Sequence, residues 1–326
     1  MENYWQKILR FSTMTNQNIK KNIEKAASFI SRNNGSQSLI ILGPTSVGKS
    51  SLGIILAEKL NGEIVSLDSM QIYKGMDIGT AKPSAEELAA VPHHLIDCQP
   101  LSETSDVASF INKAKKVENE ILDRNALPVF VGGTAMYIKA FVDGLFEGPK
   151  SSPELREKLA GIANEKGSEF LHREFLSPID PITAKKLHPN DLFRIVRAIE
   201  VYELTGKPIS EQQTQWENKS TDYRLIGLTM PRDVLYKRIE ERVDKMINSG
   251  LADEVKKLKS IGIEQNKTAA QAIGYKELLS YLDGEYSLDR AIELIKRNTR
   301  RFAKHQLTWF RKDERIEWFD LSRQMR

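Results

Sequence analysis

Cysteine is almost absent: Cys98 stands alone among 326 residues. That excludes an intrachain disulfide and any metal centre built from several thiolates, and it fits a reducing compartment, read here as the cytoplasm. No long uncharged apolar run occurs, so no membrane-spanning helix is expected. The first residues are polar and mixed, with Lys20, Lys21, Glu24 and Lys25, and lack the apolar stretch of a secretory leader. A dominant charge is missing as well: 48 Lys and Arg oppose 44 Asp and Glu, for a net +4. There is no internal repeat, no low-complexity tract and no sustained heptad, and the last of these predicts a monomer.

What is present organises itself along the chain. Hydrophobic residues at 40% and charged residues at 28% describe an ordinary globular protein, long enough for about two domains. Leu39 to Leu42 form a short apolar run before Gly43, the mark of a buried parallel strand. Residues 49–60 then read as a helix, with Leu52, Ile55, Leu56 and Leu60 on one face. Strands are predicted at 63–69, 94–97 and 127–131, and a helix at 106–124. Strands alternating with helices imply a mainly parallel α/β sheet flanked by helices, and the G-x-x-x-x-G-K-[ST] match at residues 43–50 makes it P-loop NTPase-like.

From residue 143 to 220 no convincing strand appears, and Pro149, Pro153, Pro178, Pro181, Pro189 and Pro208 punctuate a helical insertion domain. Strand character returns at 223–229. A helix opens after Pro231 and runs to residue 247, with Gly250 as its stop. Another helix spans 287–311 with Ser287 as its N-cap, and a closing strand lies at 315–321. The catalytic core is thus 38–142 joined to 221–326. Residues 1–37 read as an extension with some helix, no clear core pattern, and a loop-like end at 31–37.

The strongest motif is Gly43-Pro44-Thr45-Ser46-Val47-Gly48-Lys49-Ser50, a match to G-x-x-x-x-G-K-[ST] lying between an apolar strand and an amphipathic helix. Its glycines let backbone N–H groups converge on phosphate oxygens, and the helix N-terminus adds partial positive charge. Lys49 supplies a point charge, and the Ser50 hydroxyl is a ligand for Mg²⁺. The motif predicts a bound di- or triphosphate without naming a reaction. The second strand ends in Asp68, at the edge where ligands of open α/β sheets bind. As a general base, a Mg²⁺-side carboxylate or a helix cap, Asp68 fits equally well on position alone. His93, His94 and Asp97 invite a metal reading, but adjacent strand residues face opposite sides, which disfavours one shared ion.

Basic residues are unevenly spread. Between Lys296 and Lys312 lie Lys296, Arg297, Arg300, Arg301, Lys304, Arg311 and Lys312, with no acid among them. Such a run suits a polyanion, and equally a solvated helix face.

Together these segments resemble the tRNA dimethylallyltransferase, or isopentenyltransferase, family over about residues 38–320. The likeness rests on Gly43 to Ser50, Asp68-Ser69-Met70-Gln71-Ile72-Tyr73, Gly75 to Pro83, Pro92 to Asp97, and Gly132-Gly133-Thr134. It continues at His188 to Asp191, Arg194 to Glu200, Gln271 to Lys276 and Lys304 to Arg311. Two small departures are Thr45-Ser46-Val47, where Thr-Ala-Ser is commoner, and His305, where arginine is frequent. The resemblance implies transfer of a dimethylallyl group from its diphosphate to N6 of the adenosine 3′ of the anticodon. Asp68 would be the base, and Thr45 with the rest of the loop would hold the diphosphate with Mg²⁺. Arg232 would steady that diphosphate, with Arg238 competing for the role. Asp68, Ser69, Met70 and Gln71 would meet the flipped adenine, and Thr134 and Arg156 would contact tRNA. Further tRNA contacts are implied at Phe193, Arg194, Ile195, Val196 and Arg197, and at Gln271, Ala272, Ile273, Gly274, Tyr275 and Lys276. The last set is Lys304, His305, Gln306, Leu307, Thr308, Trp309, Phe310 and Arg311.

The chemistry that the resemblance implies is physically coherent. Diphosphate leaves readily once its charge is neutralised, and weakly nucleophilic N6 benefits from a carboxylate that takes its proton. The base must leave its stack, which a single-stranded loop makes cheap. Trp309 and Phe310 could stack on bases, although core packing is expected for at least one, and Arg197 with Glu200 reads as a weak surface pair. A small-molecule kinase, a prenyltransferase acting on free adenine nucleotide and a non-catalytic RNA-binding module are the rival readings. A GTPase is disfavoured because no Asn-Lys-x-Asp motif follows the loop.

Overall fold

The computed structural model describes residues 4–35, 37–146, 148–213 and 222–322, with side chains described from residue 17 onward. Glu147, the stretch 214–221 and the far termini, including parts of the predicted extension and insertion, lie outside the described residues. Two compact units emerge: Met1–Val142 with Thr221–Arg326, and Asp143–Ser220.

The larger unit is built on a six-stranded sheet of order β3-β2-β4-β1-β5-β6. The strands are β1 (Ser38–Leu42), β2 (Gly62–Leu67), β3 (His93–His94), β4 (Leu127–Gly132), β5 (Tyr223–Thr229) and β6 (Glu317–Asp320). Every neighbouring pair is parallel. In β1 all five residues are buried, as a strand covered on both faces requires. The principal helices are α1 (Tyr4–Arg32), α2 (Lys49–Leu60), α3 (Val107–Asp123), α4 (Ala135–Asp143), α5 (Pro153–Lys166), α6 (Leu192–Thr205), α7 (Arg232–Asn248), α8 (Leu251–Ser260), α9 (Tyr275–Leu282) and α10 (Leu288–Phe310). The side chain of Ser287 caps α10, as its sequence suggests.

Two local expectations change. β3 covers only His93 and His94, because Leu95 and Asp97 take left-handed backbone angles (φ 61° and 51°) that no strand continues. The extension has a core pattern after all. In α1, Ile19, Ile23, Ala26, Ala27 and Ile30 are buried and join the cluster containing Leu39, Leu52, Leu56, Leu228 and Leu321. The Asn22 side-chain amide donates to Leu321 O at 2.8 Å, and Arg224 Nη1 donates to Ile30 O and Asn33 O at the helix end.

The smaller unit is helical among its described residues. Leu159, Leu171, Leu176, Ile195, Ile199 and Val201 form its own apolar core. At its centre lies Glu200, fully buried, which binds both Arg156 and Arg197.

Candidate active site

The turn from β1 into α2 is bent by residues with positive φ: Gly43 at 144°, Ser46 at 65° and Gly48 at 113°. Gly43 admits no side chain, since a Cβ there would lie 2.7 Å from Leu228 O. No side chain caps α2, and its N-terminus is left open to a ligand. The Lys49 ammonium folds over the turn and donates to Pro44 O at 2.9 Å. Ser46 Oγ is buried without a hydrogen-bond partner among the described residues, the kind of orphan that an anion's oxygens or their bound water would satisfy.

Cations converge on this turn from α7. Leu235, Ile239 and Val243 form its buried stripe, and Arg238 and Arg242 form the neighbouring stripe one residue back. Arg238 Nε donates to Ser46 O at 3.0 Å. Arg238 and Arg242 join Ser46, Lys49, Ser50 and Lys245 around a cavity of about 530 Å³, whose one carboxylate among the lining residues is Glu241. The crowding shows in the acidities. Burial and the charge of Arg242 push the Lys49 ammonium down to about 7, against the opposing pull of Asp68. Burial likewise lowers Arg242, with Asp68 opposing and Arg238 reinforcing, and burial lowers Arg238. Desolvation of these cations is a cost that Asp68 relieves in part and that a bound polyanion would relieve further.

Asp68 follows β2 directly. Its Oδ1 accepts the Met70 N–H at 2.8 Å, which fixes the carboxylate at the sheet edge. It lines two further cavities with Thr45 and Arg242. One, of about 320 Å³, includes Lys49, Gln71, Thr80, Lys82 and Gln306. The other, of about 340 Å³ and more apolar, includes Ser69, Met70, Thr134, Ile239, Ala272 and Ile273. Arg242 is the wall common to all three spaces.

A family model described as IPP transferase matches residues 71–313. The tRNA dimethylallyltransferase of Carboxydothermus hydrogenoformans is 54% identical over 285 residues, covering 86% of this chain and 91% of that protein. The chain belongs to the IPP transferase family. The tRNA dimethylallyltransferase of Geobacillus thermodenitrificans is 50% identical over 286 residues, covering 87% of this chain and 90% of that one. Among solved structures, the tRNA isopentenylpyrophosphate transferase of Bacillus halodurans matches with TM-score 0.65 at 46% identity, covering 87% of this chain and 89% of its own. A eukaryotic dimethylallyltransferase acting on tRNA matches with TM-score 0.72 at 31% identity, covering 87% and 74%. The family is one of prenyltransferases, and the P-loop-like parallel sheet is its fold.

The residues expected at the site differ in burial and in partners. Arg232 is exposed at the start of α7, with its guanidinium 5.0 Å from the centre of the Tyr236 ring. Six residues separate it from Arg238, which turns it roughly 120° around the helix. Val47 is buried, leaving only its backbone for a ligand. Ile195, Tyr275, Gln306 and Phe310 are buried too, and Leu307 packs partly against the core. The Tyr275 hydroxyl donates to Glu254, whose carboxylate also accepts the N–H groups of Asp77, Ile78 and Gly79. Gly274 is buried at the start of α9, while Gln271 and Lys276 are exposed.

In the helical unit Arg156 is committed to Glu200 through two 2.8 Å bonds. Arg197 donates to Glu200 Oε2 and to Pro149 O. This is an ion triad closed around a buried carboxylate, not the weak surface pair expected for Arg197 and Glu200. Burial opposes the Glu200 carboxylate, but the two guanidiniums and the Ser152 N–H outweigh it and hold its pKa low. Phe193 remains highly exposed, Arg194 pairs with Asp191, and Val196 packs partly against the unit's core. The histidines are accounted for separately: His93 meets Val91 O, and His94 meets Glu63 at 2.6 Å. No metal-binding group of His, Cys, Asp and Glu occurs among the described residues.

Arg242 and Phe302 line the crevice and were not anticipated. The signal for Arg242 was its spacing of four from Arg238, beside the Leu235-Ile239-Val243 stripe.

The lowered Lys49 pKa carries a prediction. A diphosphate beside the ammonium restores its proton, so binding at pH 8 should take up most of one proton per site. Calorimetry at pH 8 in buffers of different ionisation enthalpy measures this; no uptake would contradict a neutral Lys49. Without ligand, the folded chain binds fewer protons here than the unfolded chain between about 7 and 10.5. Its stability from this group therefore rises with pH across that window and is lost as pH falls toward 7.

Proposed function

We propose that this chain transfers a dimethylallyl group from dimethylallyl diphosphate to N6 of the adenosine immediately 3′ of the anticodon in tRNA, acting as a monomer in the cytoplasm. The observation that carries the reading is the meeting of Asp68 with Lys49 and Arg242 at one crevice, beside a more apolar cavity lined by Thr45, Ser69, Met70 and Thr134. The N6–carbon bond forms as the carbon–oxygen bond to diphosphate breaks. The N6 proton passes to the Asp68 carboxylate, and the electron pair leaves on the diphosphate oxygen. Lys49, Arg238, Arg242 and the N–H groups of the turn stabilise that departing charge. The apolar walls exclude water, which would otherwise capture the allylic carbon.

The donor set also fits Mg²⁺, which favours hard oxygen ligands and keeps several waters beside substrate phosphates. Ser50 lines the phosphate cavity, and its hydroxyl with the diphosphate's own oxygens would hold the ion. When bound, Mg²⁺ supplies further neutralisation of the leaving group.

For the acceptor, Ser69, Met70, Thr134, Gln271, Ala272 and Ile273 line the cavity offered to the extruded adenine. The exposed Arg301, Lys304, His305, Thr308, Trp309 and Arg311 along α10 meet the RNA backbone and bases. Lys296 and Arg300 contribute less, since they pair with Asp244 and Glu240 of α7. Phe193 and Arg194 on the helical unit are further proposed contacts.

Incubation with labelled dimethylallyl diphosphate, Mg²⁺ and unmodified tRNA should place label in RNA. Label entering free AMP instead, or ATP consumption without tRNA, overturns the reading. Arg301→Ala with Lys304→Ala should weaken tRNA binding and reduce its log–log salt slope by about two units, with the donor KM unchanged. An unchanged slope returns that face of α10 to plain solvation.

A further inference from the structure

We propose that Gln306 is a positioning residue for the phosphate turn and not an RNA contact; the idea rests on the function proposed above. Gln306 is 4% exposed, on the face of α10 opposite the exposed basic residues. Its Oε1 accepts the Thr45 N–H at 2.9 Å, and its Nε2 donates to Gly133 O at 2.8 Å. One amide thus bridges the turn after β1 and the end of β4.

The neighbourhood is shaped to admit it. A Cβ on Gly133 would lie 2.4 Å from Gln306 Nε2 and 3.4 Å from Lys49 Nζ. Gly133 therefore leaves space for an incoming side chain rather than for a turn. Thr45 matters because it lines both cavities that contain Asp68. With its N–H held by Gln306, Thr45 is fixed in the wall of both spaces that Asp68 lines. The adjoining Pro44 carbonyl receives Lys49, so a shift of Thr45 also displaces the lysine's anchor. The same helix is tied to α7, the carrier of Arg238 and Arg242, through Lys296–Asp244 and Arg300–Glu240. Gln306 sets the turn against that arginine-bearing frame.

The consequence is a selective one. Breaking the bridge should loosen the diphosphate site and leave the RNA surface of α10 intact. Gln306→Met keeps the size and removes both hydrogen bonds. Its KM for dimethylallyl diphosphate, and the Kd of inorganic diphosphate with Mg²⁺ measured by calorimetry, should each rise about tenfold, while the KM for tRNA stays within about twofold, since each lost bond is worth roughly half a decade or more. Gly133→Ala crowds the amide without replacing it and should reproduce the same pattern if the methionine variant folds poorly.

A raised tRNA KM with unchanged diphosphate affinity would overturn the proposal by making Gln306 an RNA contact. A lower melting temperature with both constants unchanged would overturn it by making Gln306 core filler. Diphosphate binding is measured without prenyl transfer. Failure of wild-type protein to modify tRNA would therefore sink the functional reading separately.

Discussion

Asp68→Asn should lower the single-turnover rate about a thousandfold, in the middle of the range for a positioned general base. The substitution keeps the shape of the side chain and can still accept the Met70 N–H, so the turn after β2 survives. It removes the group that takes the N6 proton. It also removes a negative charge that supports the desolvated Lys49 and Arg242. Donor diphosphate binding should therefore persist or tighten, because the ligand then supplies more of the neutralising charge. Rapid-quench measurement at saturating donor and tRNA separates the two effects. A rate within tenfold of wild type removes Asp68 as the base.

Arg242→Ala should cost a hundredfold or more in kcat/KM, comparable to deleting one preorganised donor at a site of developing charge. Its guanidinium lines the phosphate cavity and both spaces flanking Asp68. Loss of it weakens the hold on the leaving group and leaves Asp68 with less positive potential. Arg232→Ala is the internal control. That side chain lies exposed over Tyr236 and should change kcat/KM by less than about twofold. The reverse order, with Arg232 the larger effect, would mean that α7 presents a different face to substrate.

Much of this architecture was legible from local pattern. β5 was predicted at 223–229, the residues it occupies, because β-branched and apolar residues stop sharply at Pro231. The phosphate turn declared itself through glycine spacing between a strand and a helix. α1 did not. Its buried face contains Ala26 and Ala27 beside three isoleucines, so the apolar signal is weak, and its worth appears only once Leu321 and Leu228 arrive from distant sequence.

The stretches expected to contact RNA were legible only as runs, for a different reason. Successive helix residues point about 100° apart, so a contiguous run such as Lys304 to Arg311 cannot lie on one face. Lys304, His305, Thr308, Trp309 and Arg311 are exposed; Gln306 and Phe310 turn inward. The same reasoning separates exposed Phe193 from buried Ile195. The pairing of Arg156 was not legible because sequence gives no measure of burial for its partner, and Glu200 is fully enclosed. An arginine beside a buried carboxylate holds a fold together before it can hold a phosphate.

The most direct test is a structure of the protein with a non-hydrolysable dimethylallyl diphosphate analogue and an anticodon stem–loop. The adenine N6 should sit within hydrogen-bond reach of the Asp68 carboxylate, about 2.6–3.2 Å, with the diphosphate in the Gly43–Ser50 turn and the allylic carbon between them. An adenine whose N6 faces away from Asp68, with another side chain in contact with it, would contradict the mechanism.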